Sequence, residues 1–218
     1  MIVKGGLLYV NNNLCYDNNN YWNNMYPDYE KITQALNFFI RKNSNSRINK
    51  LKAIKLLWAA DRYHLRKYGR LLSRDDYYAM RFGPVASTAD DIADLNDFYV
   101  GPEIIDYSKN FIGKDEVNHA ITSHNEVVES YLSKTDFEAL EFAWSTFGKF
   151  EGFKIADISH DYPEWSKFKS AIDNKLTKKE EIDPIDFFED PASLVILDYD
   201  PFEIDRTILQ SSKEAFIS

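Results

Sequence analysis

The stretch from residue 51 to residue 88, LKAIKLLWAADRYHLRKYGRLLSRDDYYAMRFGPVAST, constrains the fold more than any other part of the chain. In its first half, apolar residues recur at steps of three and four, the spacing of the buried face of a helix. This stripe contains Leu51, Ile54, Trp58, Leu65 and Tyr68. We therefore predict a long helix that packs its stripe into the core.

Asp61 lies in the same stripe. Burying an unpaired carboxylate costs about 2 kcal/mol or more, so Asp61 needs hydrogen-bond donors. We expect those donors to be the backbone around Gly83–Pro84 or the side chain of His160. Asp61 is then a structural hub that fixes how the helix meets the rest of the domain.

Capping residues predict where several helices begin and end. Asp28 precedes an amphipathic segment that runs to about Asn43, and Gly69 is placed to end the long helix, which opens near Arg47 or Ile48. Ser133 and Asp136 have the spacing of a capping box, and Gly148 ends that helix.

Between these helices the pattern predicts smaller elements. Residues 76–82 are rich in aromatic residues and form a short strand, after which Gly83–Pro84 turns the chain and Ser87 or Thr88 caps a helix. Residues 103–125 favour a hairpin. Short helices are predicted over 152–161 and 162–172, and the pairs Asp183–Pro184 and Asp200–Pro201 resemble helix starts around an apolar run, 193–197, of strand or buried helix.

These elements predict an α+β protein that is predominantly α-helical, a compact helical domain with a small antiparallel β-sheet or hairpin. We divide the chain into an Asn-rich extension (1–24), a helical domain (25–175) and an acidic C-terminal extension (176–218) that packs on the domain.

Composition favours a folded protein of the cytoplasm. The chain is 44% hydrophobic and 15% aromatic, and no apolar run approaches the roughly 18 residues of a membrane span. The single cysteine, Cys15, has no partner for an internal disulfide, and the N-terminus lacks the apolar core of a signal peptide.

Charge is distributed unevenly along the chain. Residues 47–81 contain ten Lys or Arg against three acids, whereas residues 180–206 contain ten acids against one base. In one interpretation, the basic and acidic stretches are solvated faces whose charges partly compensate one another. In the other, the basic stretch is a docking surface for an acidic partner, and the acidic tail competes with that partner for it. For the second, we predict a partner-binding face made of Lys55, Arg62, Tyr63, Arg66, Lys67 and Arg70. The net charge of −9 makes nucleic acid an unlikely partner.

No residue pattern predicts a catalytic or metal site. His119 and His124 lack further ligands at metal-binding spacing, and no glycine-rich phosphate loop is present. Asp61, His64 and His160 superficially resemble acid–base machinery, but a structural hydrogen-bond network is the favoured reading.

Several separated segments resemble one family. KLLWAADRYHLRKYGR (55–70), FGPV (82–85), LSKTDFEAL (132–140) and ISHDYPEW (158–165) are similar, in order and spacing, to the Panacea domain, the SocA-like antitoxin family that includes phage-associated proteins. Leu71, Ala86 and Ser159 depart from the Pro, Pro and Thr usual there. The motif residues that we expect to be structural are Asp61, His64, Tyr68, Gly69, Gly83, Pro84, His160 and Trp165.

The resemblance implies a mostly helical fold and an antitoxin of prophage or defence type that neutralises a toxin encoded beside it by direct binding, with no catalytic residue and no cofactor. Two other hypotheses stay open: a proteolytic adaptor that presents a partner to a protease, with the acidic tail as its handle, and a hydrolase or metal enzyme that uses Asp61, His64 and His160. Further candidate partners are a protease or chaperone and a second copy of the chain.

Overall fold

A computed structural model describes residues 27–218, and the predictions for residues 1–24 lie outside them. This part of the chain contains ten α-helices and two three-stranded antiparallel sheets. The predicted class, α+β and predominantly helical, is confirmed. Within residues 27–218 no helix combines the length and apolarity that crossing a bilayer requires.

The helices and strands alternate along the chain. The helices are α1 (Tyr29–Lys42), α2 (Lys50–Tyr68), α3 (Ser87–Asp94), α4 (Asp97–Val100), α5 (Pro102–Lys109), α6 (Lys134–Phe147), α7 (Gly152–Ser159), α8 (Pro163–Ser166), α9 (Lys169–Asp173) and α10 (Arg206–Ile217). The strands are β1 (Arg47–Asn49), β2 (Tyr77–Met80), β3 (Gly83–Ala86), β4 (Ile112–Asp115), β5 (Ala120–Ser123) and β6 (Lys179–Glu181).

The long helix α2 lies at the centre of the molecule. It packs against α6, α7 and α1, and the C-terminal segment with α10 lies against a further face. Ile54, Trp58 and Leu65 of the predicted stripe are fully buried, whereas Leu51 and Tyr68 at the two ends are partly exposed. Because neighbours surround most of the helix, Lys55, Asp61, Arg62, His64 and Arg66 are buried as well.

The predicted caps at the larger helices are confirmed. Asp28 accepts a hydrogen bond from Lys31 N at 3.1 Å, and Ser133 and Asp136 form the reciprocal capping box of α6. Gly69 ends α2 in the left-handed conformation, with φ of +69°. The start of α2 is later than predicted, at Lys50, because residues 47–49 instead form β1, which pairs with β5.

Two predictions around Gly83–Pro84 are wrong. This pair does not turn the chain: it begins β3, and the turn lies at Arg81–Phe82, where Met80 faces Gly83 across the hairpin. A proline is tolerated in β3 because β3 is an edge strand, which has one side without a ladder partner. Ser87 and Thr88 do not cap α3; the Asp75 carboxylate accepts from Thr88 N and Ala89 N at 2.9 and 2.8 Å.

The C-terminal segment has less regular structure than predicted. Residues 184–188 form a 3₁₀ helix after Asp183, but residues 193–197 are neither strand nor helix, and Asp200–Pro201 forms a turn rather than a helix start. The last helix begins at Arg206 under the cap of Asp205. The predicted hairpin in residues 103–125 is confirmed as β4–β5, although α5 occupies its first part.

Candidate functional site

Asp61 is fully buried and accepts three hydrogen bonds. Ser73 donates its backbone N–H at 2.9 Å and its hydroxyl at 2.5 Å, and the Tyr77 hydroxyl donates at 2.7 Å. Burial raises the pKa of the Asp61 carboxyl, while these donors oppose the rise. Asp61 therefore ties α2 to the loop that leads into β2.

The donors predicted for Asp61 were wrong. The buried carbonyl oxygen of Pro84 is an acceptor, and Lys55 on α2 donates to it at 2.5 Å. Lys55 is fully buried, and burial lowers the pKa of its ammonium group to about 7. Pro84 is thus joined to α2 by a buried lysine, whereas the Asp61 carboxylate reaches the same hairpin through Tyr77 of β2.

Arg62 and Arg66 point into the protein. Arg62 donates to the Glu164 carboxylate at 2.6 Å and to the Glu189 carbonyl at 2.7 Å, and its guanidinium lies 4.5 Å from the centroid of the Tyr162 ring. Glu164 is also fully buried, and it accepts a further bond of 2.9 Å from Trp58 Nε1. This carboxylate is thereby shared between two side chains of α2.

Arg66 holds the C-terminal segment. Its guanidinium donates to the carbonyl oxygens of residues 187, 188, 189 and 202 at 2.7 to 3.2 Å and to the Asp190 carboxylate at 2.7 Å. The exposed basic face predicted at Lys55, Arg62 and Arg66 is therefore wrong. Arg62 and Arg66 are buried because acceptors more than 100 residues away along the chain pack over this side of α2. Lys55 is buried against the carbonyl of Pro84 in β3.

Three residues of the predicted face, Tyr63, Lys67 and Arg70, remain partly exposed at the C-terminal end of α2, beside Tyr68. Tyr63, Lys67 and Tyr68 all donate to the Glu138 carboxylate, at 2.5 to 2.6 Å. The hydrogen bond from Lys67 and those from the two tyrosines lower the pKa of Glu138 to about 2. Arg70 lies 3.3 Å from Asp136. A partner-binding role for this group stays a prediction.

The histidines expected near Asp61 have other neighbours. The Arg70 carbonyl accepts a hydrogen bond of 2.8 Å from His64 Nδ1, which leaves Nε2 to accept from Thr135 at 3.0 Å. Burial lowers the pKa of His64 to about 4. This neutral tautomer fixes the end of α2 against the start of α6.

His160 takes part in a different contact. Its ring stacks on Trp165 with the ring centroids 3.7 Å apart, and Trp165 Nε1 donates to the Met80 carbonyl at 2.7 Å. Asp61, His64 and His160 therefore use separate partners and do not form one constellation. Among residues 27–218, no group of three or more His, Cys, Asp or Glu side chains is placed to hold a metal ion.

Two glycines of the motif permit close packing. Gly69 has φ of +69°, and a Cβ there would lie 2.7 Å from the Ser212 carbonyl of α10. Gly83 has φ of +92°, and a Cβ there would collide with the Ser159 hydroxyl. These positions let α10 and α7 approach α2 and β3.

An apolar groove opens beside the β2–β3 hairpin, and no pattern in the sequence indicated it. Its volume is about 840 Å³, and Leu51, Ile54, Met80 and Val85 contribute to its wall. Phe82 stands at its edge with 43% of its surface exposed. A phenylalanine between two strands predicts burial, so only the tertiary structure could identify this surface.

The fold is that of a mainly helical α+β protein. Small sheets and a C-terminal segment surround one central helix, α2, which carries buried polar side chains. The family model for the antitoxin SocA-like Panacea domain matches residues 54–166, just over half of the chain. The chain belongs to this family, as its motifs indicated. Searches of curated proteins and of solved structures found no match.

Proposed function

We propose that this protein is an antitoxin that neutralises a cognate protein toxin by direct binding. The match to the SocA-like antitoxin family over residues 54–166 is the observation that carries the proposal. The cognate toxin is expected to be encoded by an adjacent gene. Neutralisation needs an exposed surface that is complementary to the toxin and needs no reacting group.

The placement of the motif residues supports a binding role. The polar groups of Asp61, Lys55 and His64 each form hydrogen bonds within the fold, and these bonds hold α2 in place. No two of the candidate acid–base groups Asp61, His64 and His160 contact one another in the described part of the chain. This arrangement and the family support the proposed non-catalytic role.

The adaptor hypothesis gains no support from the C-terminal segment as a handle. Residues 179–181 form a strand of the β2 sheet, and the carbonyls of residues 187–189 accept from buried Arg66. A handle for a protease is an accessible chain end, whereas this segment is part of the packed structure.

The test is rescue from toxicity. The product of the adjacent gene is expressed under an inducible promoter, alone and together with this protein, and colony formation is counted. We expect the neighbour to arrest growth alone, this protein to restore growth, and the two purified proteins to elute together in size-exclusion chromatography. A harmless neighbour, or arrest that persists despite both proteins being produced in folded form, refutes the proposal.

A further inference from the structure

The groove beside the β2–β3 hairpin has a floor suited to an apolar ligand. Ile54 from α2 and Ile172 from α9 are buried at its base, and Met80 and Val85 from the two strands are partly exposed along it. Its volume of about 840 Å³ lies within the roughly 300–1,000 Å³ of pockets that enclose ligands. It has room for several side chains of a bound segment.

The charges around this floor are unbalanced. Four cationic and two anionic side chains line the groove, although the chain as a whole carries −9. Both carboxylates already have partners: Asp90 lies 2.8 Å from Lys50, and Asp173 pairs with Lys169. The rim is therefore positive.

Three cations of this rim form no ion pair with any carboxylate of residues 27–218: Arg81, Lys175 and Lys178. All three are exposed, and Arg81 lies over the Phe82 ring, with 5.2 Å between its guanidinium carbon and the ring centroid. Arg81 and Phe82 occupy the hairpin turn, so the β2–β3 ladder fixes both residues at the edge of the groove.

An exposed aromatic pair extends the apolar surface of the groove. Phe82 contacts Phe153 edge to face with the centroids 5.4 Å apart, and the two rings are 43% and 63% exposed. Exposed aromatic and arginine side chains are enriched where proteins bind one another. A partner that buries such an exposed apolar surface gains binding free energy, because the surface is removed from water.

We propose that this groove binds a segment of the cognate toxin in which an apolar side chain is flanked by carboxylates. The apolar side chain enters between Ile54, Met80 and Val85, and the carboxylates pair with Arg81, Lys175 and Lys178. This inference rests on the proposed antitoxin function and names the surface that performs it. The positive rim on a negatively charged protein is the feature that selects an acidic segment.

The test uses the full chain and the toxin identified by the rescue experiment. The triple variant R81E/K175E/K178E reverses the rim, and K109E/K134E/K149E makes the same change of net charge at exposed positions outside the groove. We expect the rim variant to raise the Kd for the toxin at least about tenfold by calorimetry, because like charges then face each other. The control variant is expected to bind as the wild type does.

A photo-crosslink locates the bound segment. With p-benzoylphenylalanine at position 82, irradiation of the complex should join this residue to one toxin peptide that carries aspartate or glutamate beside an apolar residue. Thermal melts of both triple variants alone should match that of the wild type, which separates loss of binding from loss of folding. A rim variant that melts early is replaced by F82A, which removes an exposed ring.

Each other outcome overturns the inference. If the rim variant binds and neutralises the toxin normally, the groove is not the interface, although the antitoxin function stands. A crosslink to a basic toxin peptide, to a second copy of this chain or to nucleic acid assigns the groove to another occupant. If the wild-type protein neither binds nor neutralises the toxin, the proposed function itself fails, and this inference fails with it.

Discussion

Arg66 donates a hydrogen bond of 2.7 Å to the Asp190 carboxylate and thereby joins the last turn of α2 to the C-terminal segment. Only 1% of the Arg66 side chain is exposed, whereas Asp190 is 45% exposed. The same guanidinium also satisfies four backbone carbonyls of that segment. Together with Arg62, which donates to the Glu189 carbonyl, Arg66 anchors the backbone of this segment from inside the protein.

Replacing Arg66 with methionine should destabilise the protein strongly. The variant keeps most of the side-chain stem but leaves several buried carbonyls without a donor, and losses of this kind cost about 3–5 kcal/mol. Urea denaturation followed by circular dichroism measures the free energy of unfolding. The matched control is Arg206→Met, because Arg206 also pairs with Asp190, at 3.4 Å, but is 86% exposed.

The control should lose no more than about 1 kcal/mol, as surface ion pairs do. Equal effects of the two substitutions would show that the backbone contacts of Arg66 contribute nothing.

The charge reversal R62E/R66E should likewise unfold the domain, which contrasts with the small effect that an exposed basic face would predict.

Asp61 offers a test of structural against catalytic use. In Asp61→Ala, the Ser73 amide and hydroxyl and the Tyr77 hydroxyl lose their acceptor, so we expect a loss of about 3 kcal/mol or more. Asp61→Asn keeps one acceptor oxygen, and the hydroxyls can rotate toward its amide, so a loss of about 1–2 kcal/mol is expected.

The Asp61→Asn protein should still rescue cells from the toxin at a temperature where it is folded. Unfolding is measured by denaturant titration and rescue by colony counts. A stable Asp61→Asn protein that has lost rescue would give the carboxylate a direct functional role and contradict the structural one.

Sequence reasoning worked where a structural signal is local. The cap at Asp28, the capping box of Ser133 and Asp136 and the left-handed Gly69 each depend on residues a few positions apart, and all three are present. Helical periodicity likewise identified Ile54, Trp58 and Leu65 as buried residues of α2. These features place the main helices and the fold class.

The orientation of the charged residues could not be predicted in this way. Arg62 and Arg66 have the spacing of an exposed face. They can be buried only because acceptors from residues 164 to 202 offset the cost of removing their guanidinium groups from water. The cap of α3 is supplied by Asp75 from another segment, which a search of the adjacent sequence cannot find. The groove also depends on α9 meeting the β2–β3 hairpin, a contact between segments about 90 residues apart along the chain.

Lys55 should make stability depend on pH in the alkaline range. Burial lowers its pKa from 10.5 to about 7, while the Asp90 charge opposes the shift. Between these values the unfolded chain binds more protons than the folded one, so stability rises with pH. The slope of the free energy of unfolding against pH reaches about 1.4 kcal/mol per pH unit in this range. The slope falls to zero below the folded-state pKa, where Lys55 is protonated in both states.

Lys55→Met should remove this dependence. The free energies of unfolding of the two proteins, measured by urea titration at several values from about pH 7 to pH 9, should diverge in their slopes by about 1 kcal/mol per pH unit. Parallel curves would mean that the Lys55 ammonium keeps its charge in the folded protein, which contradicts the effect of burial.

Gly83 and Gly101 separate two costs of adding a side chain. Their φ angles are nearly equal, +92° and +88°, and alanine in this positive-φ region is strained by about 1–3 kcal/mol. At Gly101 nothing lies within 4 Å of an added Cβ, whereas at Gly83 the Cβ would collide with the Ser159 hydroxyl and lie 3.1 Å from the Lys55 side chain. We expect Gly101→Ala to lose only the strain energy and Gly83→Ala to lose at least about 2 kcal/mol more, since β3 must move away from α7 and break the Lys55 bond to Pro84.

Thermal unfolding of the two variants measures the difference. Ser159→Ala, which removes the colliding hydroxyl, should recover part of the loss in Gly83→Ala but none in Gly101→Ala. Equal losses in the two glycine variants would show that β3 can shift without cost and would remove the packing role assigned to Gly83.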